Sequence, residues 1–311
     1  MTHQHPFRFG VLGSNAQSRE EWASRARKIE DYGYSTLLMG DHVELGVLPA
    51  MIGLMAAADA TSTLRLGSYV LSNDFRHPVL LAKEAAALDL LSDGRLELGL
   101  GAGWLASEYK QIGMSFDSPA VRVDRFKEAL HIIKTILADG SLSFDGEYYS
   151  VTGLEKLPKS LQRPYPSIMI GGAGKRMLSI AGREANIVAF ALSNQENIAK
   201  NVNEATSAGF MQKVDWVRQA AGARFSELEL NVLIGAVIVT EHRQQVVQRF
   251  VERLGVSTEQ VLEIPFFLMG DVDQICDALY ARREQYGISY TVILNDSMEA
   301  FAPVVARLAG K

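Results

Sequence analysis

Residues 64–104 read LRLGSYVLSNDFRHPVLLAKEAAALDLLSDGRLELGLGAGW, and this stretch decides the fold. It opens with the apolar run Leu64–Leu71, closed by the polar Ser72–Asn73–Asp74. That is the composition of a strand buried on both faces, as in a parallel sheet. Pro78 stands where a first helical residue needs no amide hydrogen. Leu81, Leu88 and Leu91 then recur at roughly helical spacing along Val79–Leu91, and Asp93–Gly94 stops the helix. Arg95–Gly101 is a second strand-like run, ending among Gly99, Gly101 and Gly103. Strand, helix and strand in this order make a parallel unit with a right-handed crossover.

The same alternation extends in both directions. Upstream, Phe7–Leu12 reads as a strand, Ser14–Ser18 as a loop, and Arg19–Tyr32 as a helix with Trp22, Ala26 and Ile29 on one face and Gly33 at its end. Ser35–Met39 is the next strand, closed by Gly40–Asp41–His42, and Leu48–Ala60 reads as a buried helix. Downstream, Leu105–Pro119 is expected as a loop. Phe126, Leu130, Ile133 and Leu137 then mark an amphipathic helix. Asp145–Gly146 inside Leu142–Val151 is a hairpin signal, and Pro158, Pro164 and Pro166 mark an irregular connection.

Ser167–Ile170 is a fifth strand, followed by Gly171–Gly172–Ala173–Gly174–Lys175 and a helix to Glu184. Asn186–Leu192 is a sixth strand, Ser193–Gly209 a long loop or short helices, and Gln212–Ala221 a helix. Leu228–Thr240 reads as one seventh strand, Gln244–Leu254 as a helix and Val256–Gly270 as an excursion. Asp271 is expected to cap a helix over Val272–Tyr286, and Tyr290–Asn295 is the eighth strand before a terminal helix. About eight strands alternating with helices is the number that an α/β (β/α)8 TIM barrel with insertions after its strands requires; an open doubly wound sheet needs fewer. The expectation is a single domain over residues 1–311.

Composition narrows the function. With 311 residues, 48 % hydrophobic, the chain can bury a large core. A net charge of −5 argues against a nucleic-acid surface and against attachment to anionic lipid. The single Cys276 excludes an internal disulfide framework. No long apolar run free of charge occurs, and MTHQHPFRFG lacks a signal-peptide core, so the expected setting is the cytoplasm.

In such a barrel the chemistry sits on the loops after the strands. Glycines at Gly171, Gly172 and Gly174, between a strand and a helix, let backbone amides face an anion, with Lys175 and Arg176 beside them. Phosphate binding is the favoured reading; the other is a tight turn that needs glycine only for its angles. The spacing is not that of a Walker A loop. Gly99–Gly103 departs from GxGxxG and is expected to let a flat ligand near the backbone. Asp41–His42 at a strand end reads either as a general acid/base pair or as a cap beside a solvated ring. His3 and His5 lie near the terminus, His131 inside a helix and His242 at a helix start, while His77 before Pro78 suits a cap. No spacing suggests a metal, and no GxSxG elbow is present.

The long motif of residues 64–104, with LLMGDH, FDGEYYSV, IMIGGAGK and LMGDVDQI, resembles the luciferase-like flavin and deazaflavin oxidoreductases, especially the branch dependent on coenzyme F420. The resemblance implies a barrel holding a deazaflavin, with FMN as the alternative cofactor. It places a non-proline cis peptide at Tyr69–Val70 under the ring, Ser72 against it, and Gly103 and Trp104 beside it. The expected cofactor contacts are therefore Asp41, Tyr69, Val70, Leu71, Ser72, Gly103, Trp104, Gly171, Gly172, Ala173, Gly174 and Lys175. His42 and Asp41 match the catalytic Asp–His pair of F420-dependent sugar-phosphate dehydrogenases. Those relatives carry Glu after the glycines where this chain has Trp104, which points to an apolar pocket; Glu108 is read as structural. The implied activity is hydride transfer between F420 and a small organic substrate, in a homodimer. Rival readings are a reduced-FMN and oxygen monooxygenase, or a non-catalytic barrel that binds a pigment or a partner.

Overall fold

The computed structural model describes residues 5–13, 15–43, 48–155, 157–193 and 202–311. His3, Ser14 and residues 194–201 of the expected Ser193–Gly209 loop lie outside the described residues. The strands, in chain order, are β1 (Arg8–Leu12), β2 (Thr36–Met39), β3 (Arg65–Ser68), β4 (Leu71–Ser72) and β5 (Leu96–Gly101). They continue with β6 (Leu142–Asp145), β7 (Ser150–Leu154), β8 (Ser167–Gly172) and β9 (Ile187–Phe190). The last are β10 (Glu229–Ile234), β11 (Ala236–Val239), β12 (Phe267–Gly270) and β13 (Ile288–Leu294).

The main sheet runs β3-β2-β1-β13-β10-β9-β8-β5, and β3 pairs with β5 to close it. Eight staves with helices between them are the expected (β/α)8 barrel. β4 continues β3 along the edge of β5, and the Tyr69–Val70 peptide between them is cis. By compactness the chain divides into two units: Met1–Leu12, Ile29–Thr36 and Gly171–Lys311 form one, Gly13–Lys28 and Leu37–Ile170 the other.

In the first unit, β1 lies parallel to β13 with Arg8 opposite Tyr290, and β10 runs between β13 and β9. These strands are buried on both faces, with Phe9, Val11, Val232 and Val292 in the core. Phe210 packs against Phe190 at 4.9 Å and Tyr286 at 5.0 Å. Asp271 caps Val272–Tyr286 as expected, through a reciprocal box with Gln274. Buried Arg282 on that helix donates to the carbonyls of Ile264, Pro265 and Phe267, and burial pushes it down to about 10.

One expectation fails here. The run Leu228–Thr240 is not one strand. β10 ends at Ile234, Gly235 donates its amide to Phe266 O at 2.9 Å, and β11 then pairs in parallel with β12 in a separate two-stranded sheet. The excursion Val256–Gly270 correspondingly holds the helix Thr258–Glu263, boxed by Ser257 and Gln260, as well as β12.

In the second unit β5 is flanked by β3 and β8, with Glu97 opposite both Gly67 and Ser167. A side chain at Gly99 would put a Cβ 1.9 Å from Ser68 O, so glycine is what lets these two strands close up. Ser68 Oγ locks the contact, donating to Gly99 O and accepting from Gly99 N. The helix Pro78–Leu91 starts with His77 accepting from Val79 N at 3.3 Å. The helix Pro119–Asp139 carries the antiparallel hairpin β6–β7, whose turn amides at Glu147, Tyr148 and Tyr149 all donate to Glu128. The stretch Leu105–Pro119, expected as loop, contains the helix Ala106–Gln111. Six residues are too few for helical periodicity to register in sequence.

Candidate active site

The second unit gathers the polar residues that follow β2, β4 and β5. Asp41, which follows β2 and Gly40, is bound by Arg76 at 2.5 and 2.7 Å and by the amide of Ser72 at 2.9 Å. Burial opposes the charge on Arg76, but the hydrogen bonds and charge of Asp41 outweigh it and hold the guanidinium above its usual range. Asp41 is therefore not the partner of His42. The two residues engage different groups.

His42 Nδ1 lies 3.0 Å from Glu108 Oε1, and the same oxygen accepts Val43 N at 2.7 Å. Glu108 is only 3 % exposed. The His42 ring stands edge-on to Trp104, with centroids 6.1 Å apart, and Trp104 is 42 % exposed. The resulting rim is an imidazole beside an open indole.

Tyr109, next to Glu108 on the same short helix, reaches the other side of the cluster. Its Oη donates to Asp74 at 3.0 Å and lies 3.2 Å from Ser72 Oγ. Burial raises the phenol to about 12, Asp74 adding to the effect. Arg125 holds Asp74 through two bonds of 2.8 and 2.9 Å and reaches Asp117 at 2.9 Å. These carboxylates keep Arg125 well above the usual guanidinium range, the bonds from Asp74 contributing most. Gly103 has φ +76°, and a Cβ there would fall 1.9 Å from Tyr109 Oη. Gly99 and Gly103 are thus each required by the chain's own packing.

The glycine loop belongs to the first unit. β8 ends at Gly172, whose carbonyl accepts Ala191 N at 3.0 Å, and Gly174 precedes the helix Lys175–Glu184. None of Gly171, Gly172 and Gly174 has a positive φ, so the turn does not need glycine for its angles. A Cβ on Gly172 would meet Met177 Cγ at 2.7 Å, whereas one on Gly174 would meet nothing within 4 Å. Gly174, Lys175 and Arg176 are exposed, and the first-turn amides have no carbonyl of their own helix to bind.

Of the sequence-named residues, the structure joins His42, Trp104, Ser72 and Gly103 through Glu108 and Tyr109. His77 caps a helix, His131 lies on the helix Pro119–Asp139, and His242 stands at the N-cap position of Arg243–Leu254 without a side-chain cap bond. Cys276 is buried, and burial raises its thiol. Among the described residues no group of three or more His, Cys, Asp or Glu could hold a metal ion. Among the same residues no helix is long and apolar enough to cross a membrane. Sequence reading missed the parts played by Glu108, Tyr109, Asp74 and Arg125; an acid beside an aromatic shortly after the barrel strand's glycines was their only signal.

The sequence model of the luciferase-like monooxygenases matches residues 1–286, and the chain belongs to that family. It is 30 % identical over 190 residues to the F420-dependent glucose-6-phosphate dehydrogenase of Kineococcus radiotolerans, covering 58 % of this chain and 56 % of that protein. Against the FMNH2-dependent dimethylsulfone monooxygenase of Pseudomonas putida it is 27 % identical over 183 residues, covering 58 % and 50 %. The chain thus spans about half the length of these curated relatives in the matched regions. The coenzyme F420-dependent tetrahydromethanopterin reductase of Methanopyrus kandleri shares the fold, with TM-score 0.77 over 98 % of this chain and 99 % of that one at 18 % identity.

Proposed function

We propose that this chain is a coenzyme F420-dependent oxidoreductase that moves a hydride between the deazaflavin and a small organic substrate, and that it acts as one barrel domain. The observation that carries the reading is the single cluster made by His42, Trp104, Ser72 and Gly103 on the segments that follow β2, β4 and β5. Placement after barrel strands is where such enzymes keep their chemistry. The F420-dependent relatives support the choice of cofactor.

Each unit, taken by itself, offers residues that suit one part of the group. Gly174 offers bare backbone at a helix N-terminus with Lys175 and Arg176 alongside, which suits a phosphate. Ser72, Gly103 and Trp104 would flank the ring. When bound, the deazaflavin supplies the carbon that gives or takes the hydride. His42 holds or accepts the proton at the substrate oxygen through its Nε2, because Nδ1 is engaged by Glu108. Trp104 covers the ring edge of His42, excludes water and favours an uncharged organic substrate.

A second reading, a monooxygenase using reduced FMN and oxygen, draws on the relative from Pseudomonas putida. Titrating the apoprotein with F420 and, separately, with FMN tests the choice. Tight F420 binding with weak FMN binding is expected. The reverse, with oxygen consumed on adding reduced FMN, would replace the first reading with the second. Sedimentation at two loading concentrations tests the homodimer that we also propose.

A further inference from the structure

We infer that Glu108 is the positioning residue of this site: it fixes His42 as the Nδ1–H tautomer and so leaves Nε2 as the working nitrogen. The inference deepens the proposed proton role of His42 and rests on that reading for its catalytic meaning alone.

The geometry leaves little freedom. Glu108 Oε1 receives two groups, Val43 N at 2.7 Å and His42 Nδ1 at 3.0 Å. The amide of Val43 donates to that oxygen, which as a carboxylate can only accept. A nitrogen facing a carboxylate oxygen must then carry hydrogen, and the tautomer follows from the bond at the other nitrogen. Free imidazole in water prefers hydrogen on Nε2, so the carboxylate inverts the ordinary preference. Anchoring residues 42 and 43 through one atom also sets the ring's direction, since the backbone and the side chain are held from the same point. Tyr109 steadies the support itself. It is 1 % exposed, and its hydroxyl joins Asp74 and Ser72 while Glu108 joins His42.

A purely structural Glu108 would clamp the Val43 amide and be indifferent to the ring. The two roles separate by substitution. In Glu108→Gln a single amide oxygen can still accept both bonds, but the negative charge is gone. In Glu108→Ala both bonds are lost.

The experiment is nitrogen NMR on apoprotein labelled with 15N-histidine, with His42 assigned by its disappearance in His42→Gln, recorded where the ring is neutral. Wild type and Glu108→Gln are expected to carry hydrogen on Nδ1, and Glu108→Ala to revert to Nε2. With F420 and substrate, kcat should fall about 10²-fold in Glu108→Ala, with the F420 dissociation constant unchanged within about twofold. Wild type with hydrogen on Nε2, or Glu108→Ala retaining it on Nδ1, would overturn the inference. Should Glu108→Ala not fold, the wild-type and Glu108→Gln spectra still decide. The expected tautomers without F420 binding would refute the proposed function and leave the positioning role standing.

Discussion

Asp41 and Arg76 meet in a two-point ion pair, at 2.5 and 2.7 Å, and the same Asp41 oxygen that takes the shorter bond also receives Ser72 N at 2.9 Å. The pair ties the segment after β2 to the segment after β4 within the second unit. Asp41 is mostly buried and Arg76 partly so. Arg76→Met should therefore lower stability by roughly 2–4 kcal/mol, since it leaves a buried carboxylate without its cation. The double variant with Asp41→Asn should lose less than the sum of the two single losses, as read in a denaturant double-mutant cycle. Additive losses would mean that the two side chains are not coupled.

His42→Ala should reduce kcat about 10²-fold at saturating substrate while the affinity for F420 stays within about twofold of wild type. The ring lies against Glu108 and Trp104, on the rim of the cluster. Unchanged turnover in this variant would remove His42 from the reaction, and the proton would then have to pass through another group.

Tyr109 gives a pH signature. Its phenol is raised to about 12 by burial, against an ordinary value near 10. The folded chain holds this proton more tightly than the unfolded chain. Its contribution is complete below pH 10 and is lost as pH rises through 12. Up to about 2–3 kcal/mol is at stake on that interval. Tyr109→Phe should be less stable than wild type by about 1–2 kcal/mol at pH 9, for want of the bonds to Asp74 and Ser72. The difference should shrink toward pH 12. Urea titrations at pH 9 and pH 11.5 check it, and a constant difference would contradict the assignment.

The glycine loop permits a paired test. Gly172→Ala should destabilise the fold by about 1–3 kcal/mol, because its methyl would meet Met177 at 2.7 Å. Gly174→Ala has open space and a permitted φ of −87°, so its melting should change by no more than about 1 kcal/mol in stability. If the bare backbone there receives a phosphate, the same variant should weaken F420 binding severalfold. Unaltered affinity would free Gly174 from that role.

Much of the barrel is legible because its signals are local. Asp271 with Gln274, Gly33 after the first helix and the apolar run of β5 each announce themselves within a few residues. The break at Gly235 is not local. Leu228–Thr240 keeps a continuous β-prone composition, and what splits it is an amide bond to Phe266 and a partner strand some thirty residues on. The site divides in the same way. Asp41, His42, Ser72 and Trp104 stand out at strand ends, but the bond from His42 to Glu108 spans 66 positions. A single sequence holds no measure of such a distance. Asp41 and His42 are adjacent and therefore read as a pair, although the fold sends them to Arg76 and Glu108.

The interlock of Gly103 with Tyr109 reaches beyond this molecule. A side chain at 103 would occupy the place of the phenolic oxygen, 1.9 Å from it. Losing the hydroxyl at 109 would not open the position, because the positive φ strains any side chain there and Ser72 Oγ and Tyr109 Cζ each lie 3.0 Å away. Drift at 103 is therefore closed for as long as this backbone lasts, whatever residue 109 becomes.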